Sequence, residues 1–112
     1  MTGDETLPFE IAPATLAAWR QDGLAHAVLD VREPWEVEIA ALEGALLVPM
    51  GEVPARLGEL PADRPLVVLC HHGGRSMRVT AWLRSRGLAN AVNLGGGIDA
   101  WSREVDPAVP TY

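Results

Sequence analysis

Leu66-Val67-Val68-Leu69-Cys70-His71-His72-Gly73-Gly74-Arg75-Ser76 is an apolar run that passes through two glycines into a stretch with helical spacing, Met77 to Arg86. A short, wholly apolar run bounded by a turn reads as a strand buried on both faces, and a helix after it makes the strand–loop–helix unit of a parallel sheet. Further such units lie on either side. Residues 27–31 (Ala-Val-Leu-Asp-Val), 46–48 and 91–94 read as buried strands, and Phe9-Glu10-Ile11 as a short edge strand. Helices are predicted over residues 13–21, with proline near the start and Gly23 past the end, and over 34–40, opened by Pro34. Others are expected over residues 51–60, over 76–86 up to Gly87, and over 98–103. Within 76–86, Val79, Trp82 and Leu83 share the face turned to the sheet. The fold class is α/β, a parallel sheet of about four to five strands flanked by helices.

Cys70 is the only cysteine of the chain. A lone cysteine is commonly a small buried hydrophobe, but three neighbours point to chemistry here. Cys70 stands at the C-terminal end of a strand, where open α/β sheets bind their ligands. Gly73 and Gly74 let the loop close tightly around a bound group. Arg75 adds a fixed positive charge with a fork of N–H donors. The unpaired amides and dipole of the following helix favour a sulfur placed there as the thiolate, which is the nucleophile. His71 and His72 line the loop, and either could tune Cys70 by its charge near neutral pH or simply face solvent.

The size, 112 residues, fits one domain over residues 1–112, its core spanning about residues 11–103 between short tails. An apolar fraction of 48% and a charged fraction of 21% describe a soluble globular chain. The net charge of -6, with nine arginines scattered and no lysine, argues against a nucleic-acid partner. No apolar stretch approaches the roughly 20 residues that span a bilayer, so no membrane role is expected. Met1-Thr2-Gly3-Asp4-Glu5 is acidic and lacks the pattern of a leader peptide. A reactive thiol without a disulfide partner suits a reducing compartment, and the cytoplasm is the expected location. Gly95-Gly96-Gly97 lacks the spacing of a dinucleotide site and reads as a turn at the same sheet end as Cys70, so no cofactor is expected. The paired histidines have only His26 elsewhere, so no metal site is expected. Asp30 and Arg32 read as a structural ion pair or as a cap of the helix at Pro34, and Trp35 as packing.

Four segments in order carry a resemblance. Residues 29–36 (Leu-Asp-Val-Arg-Glu-Pro-Trp-Glu), Gly44-Ala45 with Val48-Pro49, the six-residue loop from Cys70 to Arg75, and residues 95–101 (Gly-Gly-Gly-Ile-Asp-Ala-Trp) resemble the signatures of the single-domain rhodaneses, a sulfurtransferase family. One departure is Ala41-Leu42-Glu43 where the family often has His-Ile-Pro, which implies a local packing difference. The resemblance implies a Cys70 persulfide, loaded from a donor such as thiosulfate or a persulfide and emptied by cyanide or a thiol. In that reading Arg75 steadies the anionic donor or the persulfide, and the loop His71, His72, Gly73, Gly74, Arg75 and Ser76 forms the substrate cradle. With no second thiol to resolve the persulfide, the sulfur must leave to an external small molecule or protein.

Two other readings compete. Cysteine–arginine phosphatase loops enclose five residues where Cys70 and Arg75 enclose four, and a smaller cradle suits a sulfur atom better than a phosphoryl group. A non-enzymatic rhodanese-like binding or sulfur-carrier module acting with a protein partner is the second, although such modules commonly lack the cysteine.

Overall fold

The computed structural model describes residues 7–112. The acidic Met1–Glu5 stretch, read above as lacking a leader pattern, lies outside the described residues. Strands β1 (Glu10–Ile11), β2 (Ala27–Asp30), β3 (Leu46–Leu47), β4 (Leu66–Leu69) and β5 (Ala91–Leu94) alternate with helices α1 (Pro13–Asp22), α2 (Pro34–Ile39), α3 (Gly74–Ser85) and α4 (Gly97–Glu104). The strands form one sheet in the order β1-β5-β4-β2-β3, and every neighbouring pair is parallel. Parallel neighbours need crossovers, and these cover both faces.

The pleat then divides the core. Val67 and Leu69 of β4 point with Val28, Val92 and Leu94 toward Leu16 of α1 and Ile98 and Trp101 of α4. Leu66, Val68 and Cys70 point to the other face, against Val79 and Leu83 of α3 and Val53 and Leu60. Cys70 is therefore in register with two core residues, and its sulfur is aimed at the start of α3. The chain leaves β2 toward β3 but leaves β4 toward β5 in the opposite direction, so the ends of β2 and β4 bracket a topological switch point. That crevice is where sheets of this kind hold their ligands.

Four expectations need correction. Residues 51–60 form no α-helix but two 3₁₀ segments, Met50–Glu52 and Pro54–Glu59. Pro54 donates no backbone hydrogen bond, and Gly51 and Gly58 weaken any regular helix here. Strand β3 is an exposed edge rather than a buried strand, with Leu46 and Leu47 at 41% and 50% exposure and only Val48 buried. Helix α3 starts two residues earlier than read, at Gly74, which brings Arg75 and Ser76 into its first turn. Trp35 is 59% exposed on α2 and packs only edge-on beside Tyr112, with ring centres 6.2 Å apart. Trp82 is half-buried against the α3-side core, and the Arg86 guanidinium covers its ring. Leu42, within the segment that departs from the family pattern, is buried in the opposite core. Among the described residues no helix is long and apolar enough to cross a membrane.

Candidate active site

Cys70 follows β4 directly and is 1% exposed. Its Sγ receives the Gly73 amide at 3.1 Å and the Ser76 amide at 3.4 Å, and the Ser76 hydroxyl lies 3.3 Å away. The Ser76 amide belongs to the first turn of α3, where N–H groups have no partner within the helix. A sulfur carrying negative charge is matched by these donors. Gly73 makes the turn possible with φ of +103°, and a Cβ on it would press against the Gly96 amide at 3.2 Å.

The Gly95-Gly96-Gly97 turn is the opposite wall of the loop. The Ile98 and Asp99 amides of α4 donate to the Cys70 and His71 carbonyls at 2.9 and 3.0 Å. One helix start therefore faces the sulfur while a second holds the backbone of the same loop. Gly97, at φ +62°, sits so close that a Cβ would overlap both of those carbonyl oxygens. Only glycine fits there, which is the close backbone approach expected of this turn.

His71 is half-buried and sandwiched. Its ring stacks on His72 at 3.8 Å and on Tyr112 at 3.8 Å, the latter nearly parallel at 5°. Burial and then the neighbouring His72 push the His71 imidazole below its ordinary value, so its neutral form is favoured. His72 is exposed, with Nε2 3.9 Å from Asp99 Oδ2. Ligand atoms of His71, His72 and Asp99 gather within 4.8 Å of one another. The two imidazole rings are stacked on one another, and Arg103 already binds the Asp99 carboxylate at 3.0 Å.

Arg75 is placed differently from the cradle reading. Its Nη1 and Nη2 donate to the two carboxylate oxygens of Glu36 at 2.7 and 2.8 Å, so the fork an anion would use is engaged by α2. Glu36 is the hub that the sequence reading missed. It is 3% exposed and also accepts from the Tyr112 hydroxyl at 2.7 Å and the Glu33 amide at 3.1 Å. The Glu33–Glu36 spacing at the start of α2 is a capping box, the one signal in the sequence that could have singled it out. Tyr112, outside the expected core, had no such signal.

Arg75 holds the Glu36 carboxyl down at about 2, against burial and with help from Tyr112 and Glu33. Since this lies below the ordinary 4.5, the pair's stabilisation is fully present above about pH 4.5 and is lost as pH falls toward 2. Allowing for the part-exposed Arg75, this contributes on the order of 2 kcal/mol at neutral pH. A Glu36→Gln variant is expected to lose that much, and its melting temperature should fall less steeply than the parent's between pH 5 and pH 2 in thermal melts. Parallel acid limbs would show that the pair does not couple to folding.

Asp30 and Arg32 form the ion pair, not a cap. Arg32 Nε and Nη2 reach Asp30 at 2.9 and 2.6 Å, and further donors go to the Ala40 and Glu36 carbonyls and the Tyr112 hydroxyl. Both residues are fully buried beneath α2 and do not approach the sulfur through any hydrogen bond. Asn93 of β5, also unassigned from sequence, lies 2.5 Å from Ser76 Oγ through its Oδ1.

This strand, loop and paired helix starts lie within a stretch that matches known proteins. The model of the rhodanese-like domain matches residues 12–104. A sulfurtransferase of Allochromatium vinosum is 39% identical over 82 residues, which cover 73% of this chain and 77% of that protein. A rhodanese-like/PpiC domain-containing protein 12, chloroplastic, of Arabidopsis thaliana is 44% identical over 89 residues, 76% of this chain. The chain spans only 30% of the length of that plant protein. Among solved structures, a rhodanese-related protein from Thermoplasma volcanium superposes with a TM-score of 0.78 at 30% identity, covering 94% of this chain and all of that one. The matched stretch holds all four sequence segments and both walls of the Cys70 loop, and the chain belongs to the rhodanese-like domain family.

Proposed function

We propose that the protein is a sulfurtransferase that carries sulfane sulfur as a persulfide on Cys70. The observation that supports this most is the Cys70 sulfur itself, set at the start of α3 and facing two backbone amides and a hydroxyl. In the first half-reaction the Cys70 thiolate attacks the outer sulfur of thiosulfate. The new bond joins the two sulfurs, the old sulfur–sulfur bond breaks, and sulfite leaves with its electron pair. Cys70 then bears a persulfide whose negative charge sits on the outer sulfur. In the second half-reaction cyanide or a thiolate attacks that outer sulfur, and the Cys70 thiolate departs. No net oxidation occurs, and no metal or cofactor takes part in this scheme. Covalent transfer in two halves gives ping-pong kinetics.

In this reading His71, His72, Gly73, Gly74 and Ser76 form the cradle. Arg75 contributes positive charge near the sulfur and, locked to Glu36, holds the first turn of α3 in place. The donor is a small sulfur compound or a persulfide. The acceptor is a small molecule, a thiol or a partner protein, because the chain has no second cysteine to resolve the persulfide. A reducing compartment such as the cytoplasm keeps the thiol available.

The test is the intact mass of the reduced protein before and after thiosulfate. A gain of one sulfur atom, removed by cyanide with thiocyanate formed, is the expected result. An unchanged mass with both thiosulfate and a low-molecular-weight persulfide, the thiol still titratable, would favour the binding-module reading instead.

A further inference from the structure

The Ser76 hydroxyl carries one hydrogen and has two neighbours that compete for it, Cys70 Sγ at 3.3 Å and Asn93 Oδ1 at 2.5 Å. What decides between them lies further back. Asn93 Nδ2 faces two groups that can only accept, the Glu10 carboxylate at 2.8 Å and the Gly73 carbonyl at 3.4 Å. The amide is therefore fixed with its nitrogen toward Glu10 and its oxygen toward Ser76. An amide oxygen only accepts, so the hydroxyl hydrogen goes to Asn93, and the hydroxyl turns its oxygen toward the sulfur.

We infer that Asn93, anchored by Glu10, is a positioning residue that withholds the Ser76 hydroxyl from the bare Cys70 thiolate. As a thiol, Cys70 donates its S–H to Ser76 Oγ, and the chain from sulfur to Glu10 is complete. On ionisation the proton leaves to solvent, and the thiolate meets a hydroxyl lone pair. Donation to the sulfur then requires the hydroxyl to abandon Asn93 Oδ1. Asn93 and Ser76 are both fully buried, so that oxygen would be left unpaired. A persulfide avoids the conflict, since its charge lies on the outer sulfur. The hydroxyl thus offers the empty thiolate no hydrogen, and the thiolate's charge rests on the Gly73 and Ser76 amides. This rests on Cys70 being the reactive thiol proposed above.

The remaining charged and titratable groups around the loop are Arg75 with Glu36, His71, His72, and Asp99 with Arg103. Substitution at Asn93 or Glu10 changes none of them. The test is the ultraviolet thiolate absorbance of the full chain against pH, with the Cys70→Ser protein subtracted to remove tyrosine. Asn93→Ala frees the hydroxyl, and its titration is expected to move to lower pH by roughly one unit, the scale of one hydrogen bond to a charged group. Glu10→Ala releases the amide from its anchor at an exposed position, so it keeps the test available if the buried variant does not fold. It should shift the titration the same way by less. Both shifts are expected to vanish when Ser76 is also alanine, whereas a plain charge effect of Glu10 would persist. Unchanged titrations with Ser76 present, or equal shifts without it, would overturn the inference. Failure of the sulfur-transfer reading would appear separately, as no mass gain from thiosulfate, because the absorbance reads ionisation alone.

Discussion

The Cys70→Ser protein is expected to keep its fold and to lose sulfur transfer altogether, by roughly 10³-fold or more in a thiosulfate–cyanide assay. Serine fills nearly the same volume, and its oxygen can accept from the Gly73 and Ser76 amides that the sulfur uses now. Stability should stay within about 1 kcal/mol of the parent. Chemistry does not survive the exchange. An alcohol is ionised far too little near neutral pH to act as the nucleophile, and oxygen forms no counterpart of the sulfur–sulfur bond that stores the cargo. Thermal melting checks the fold, and intact mass with thiocyanate colorimetry checks the transfer. Transfer persisting near the parent rate in a folded Cys70→Ser protein would place the sulfur elsewhere and discard the persulfide reading.

The largest effect on stability is expected from Arg32→Ala. Arg32 and Asp30 are buried to 1% and 0% exposure, and the Arg32 donors reach a carboxylate, two carbonyls and the Tyr112 hydroxyl. Removing the arginine leaves the Asp30 carboxylate buried without its counter-charge, a loss of about 3–5 kcal/mol. A domain of this size is stable by only about 5–15 kcal/mol in all. The melting temperature should therefore fall by on the order of 10–20 °C in calorimetry. Asp30→Asn combined with Arg32→Met, which removes both charges together, should recover much of that loss. A single variant that melts within a few degrees of the parent would mean that water or another cation replaces the arginine.

The parts of the molecule legible in the sequence are those where local pattern and tertiary need agree. The apolar run before Cys70 could only be a buried strand, Gly23 after Asp22 stops α1 in the left-handed conformation, and Gly73 and Gly97 stand where the backbone demands them. The cysteine and its loop were legible for the same reason. Arg75 was legible as a charge but not as a pair. Its partner Glu36 lies 39 residues away, and only the meeting of α2 with α3 at the switch point brings the two together. Tyr112, Asn93 and Glu10 were illegible for a related reason. Each acts through a contact with a residue far off along the chain, and nothing in its neighbours in sequence marks it. Trp35 misled because a large aromatic in an apolar context suggests burial, whereas α2 turns it outward beside Tyr112.

The pairing of β1 with β5 has a consequence for the order in which the molecule is built. Among the described residues the first strand of the sheet hydrogen-bonds only to the last, through Glu10 opposite Asn93 and Ile11 opposite Leu94. During synthesis β1 must wait, unpaired, until some eighty residues have followed it, while β2 and β4 pair earlier. Glu10 rides on that waiting strand. The carboxylate that orients Asn93 therefore reaches its place only once β5 has been made, later than the loop that carries Cys70.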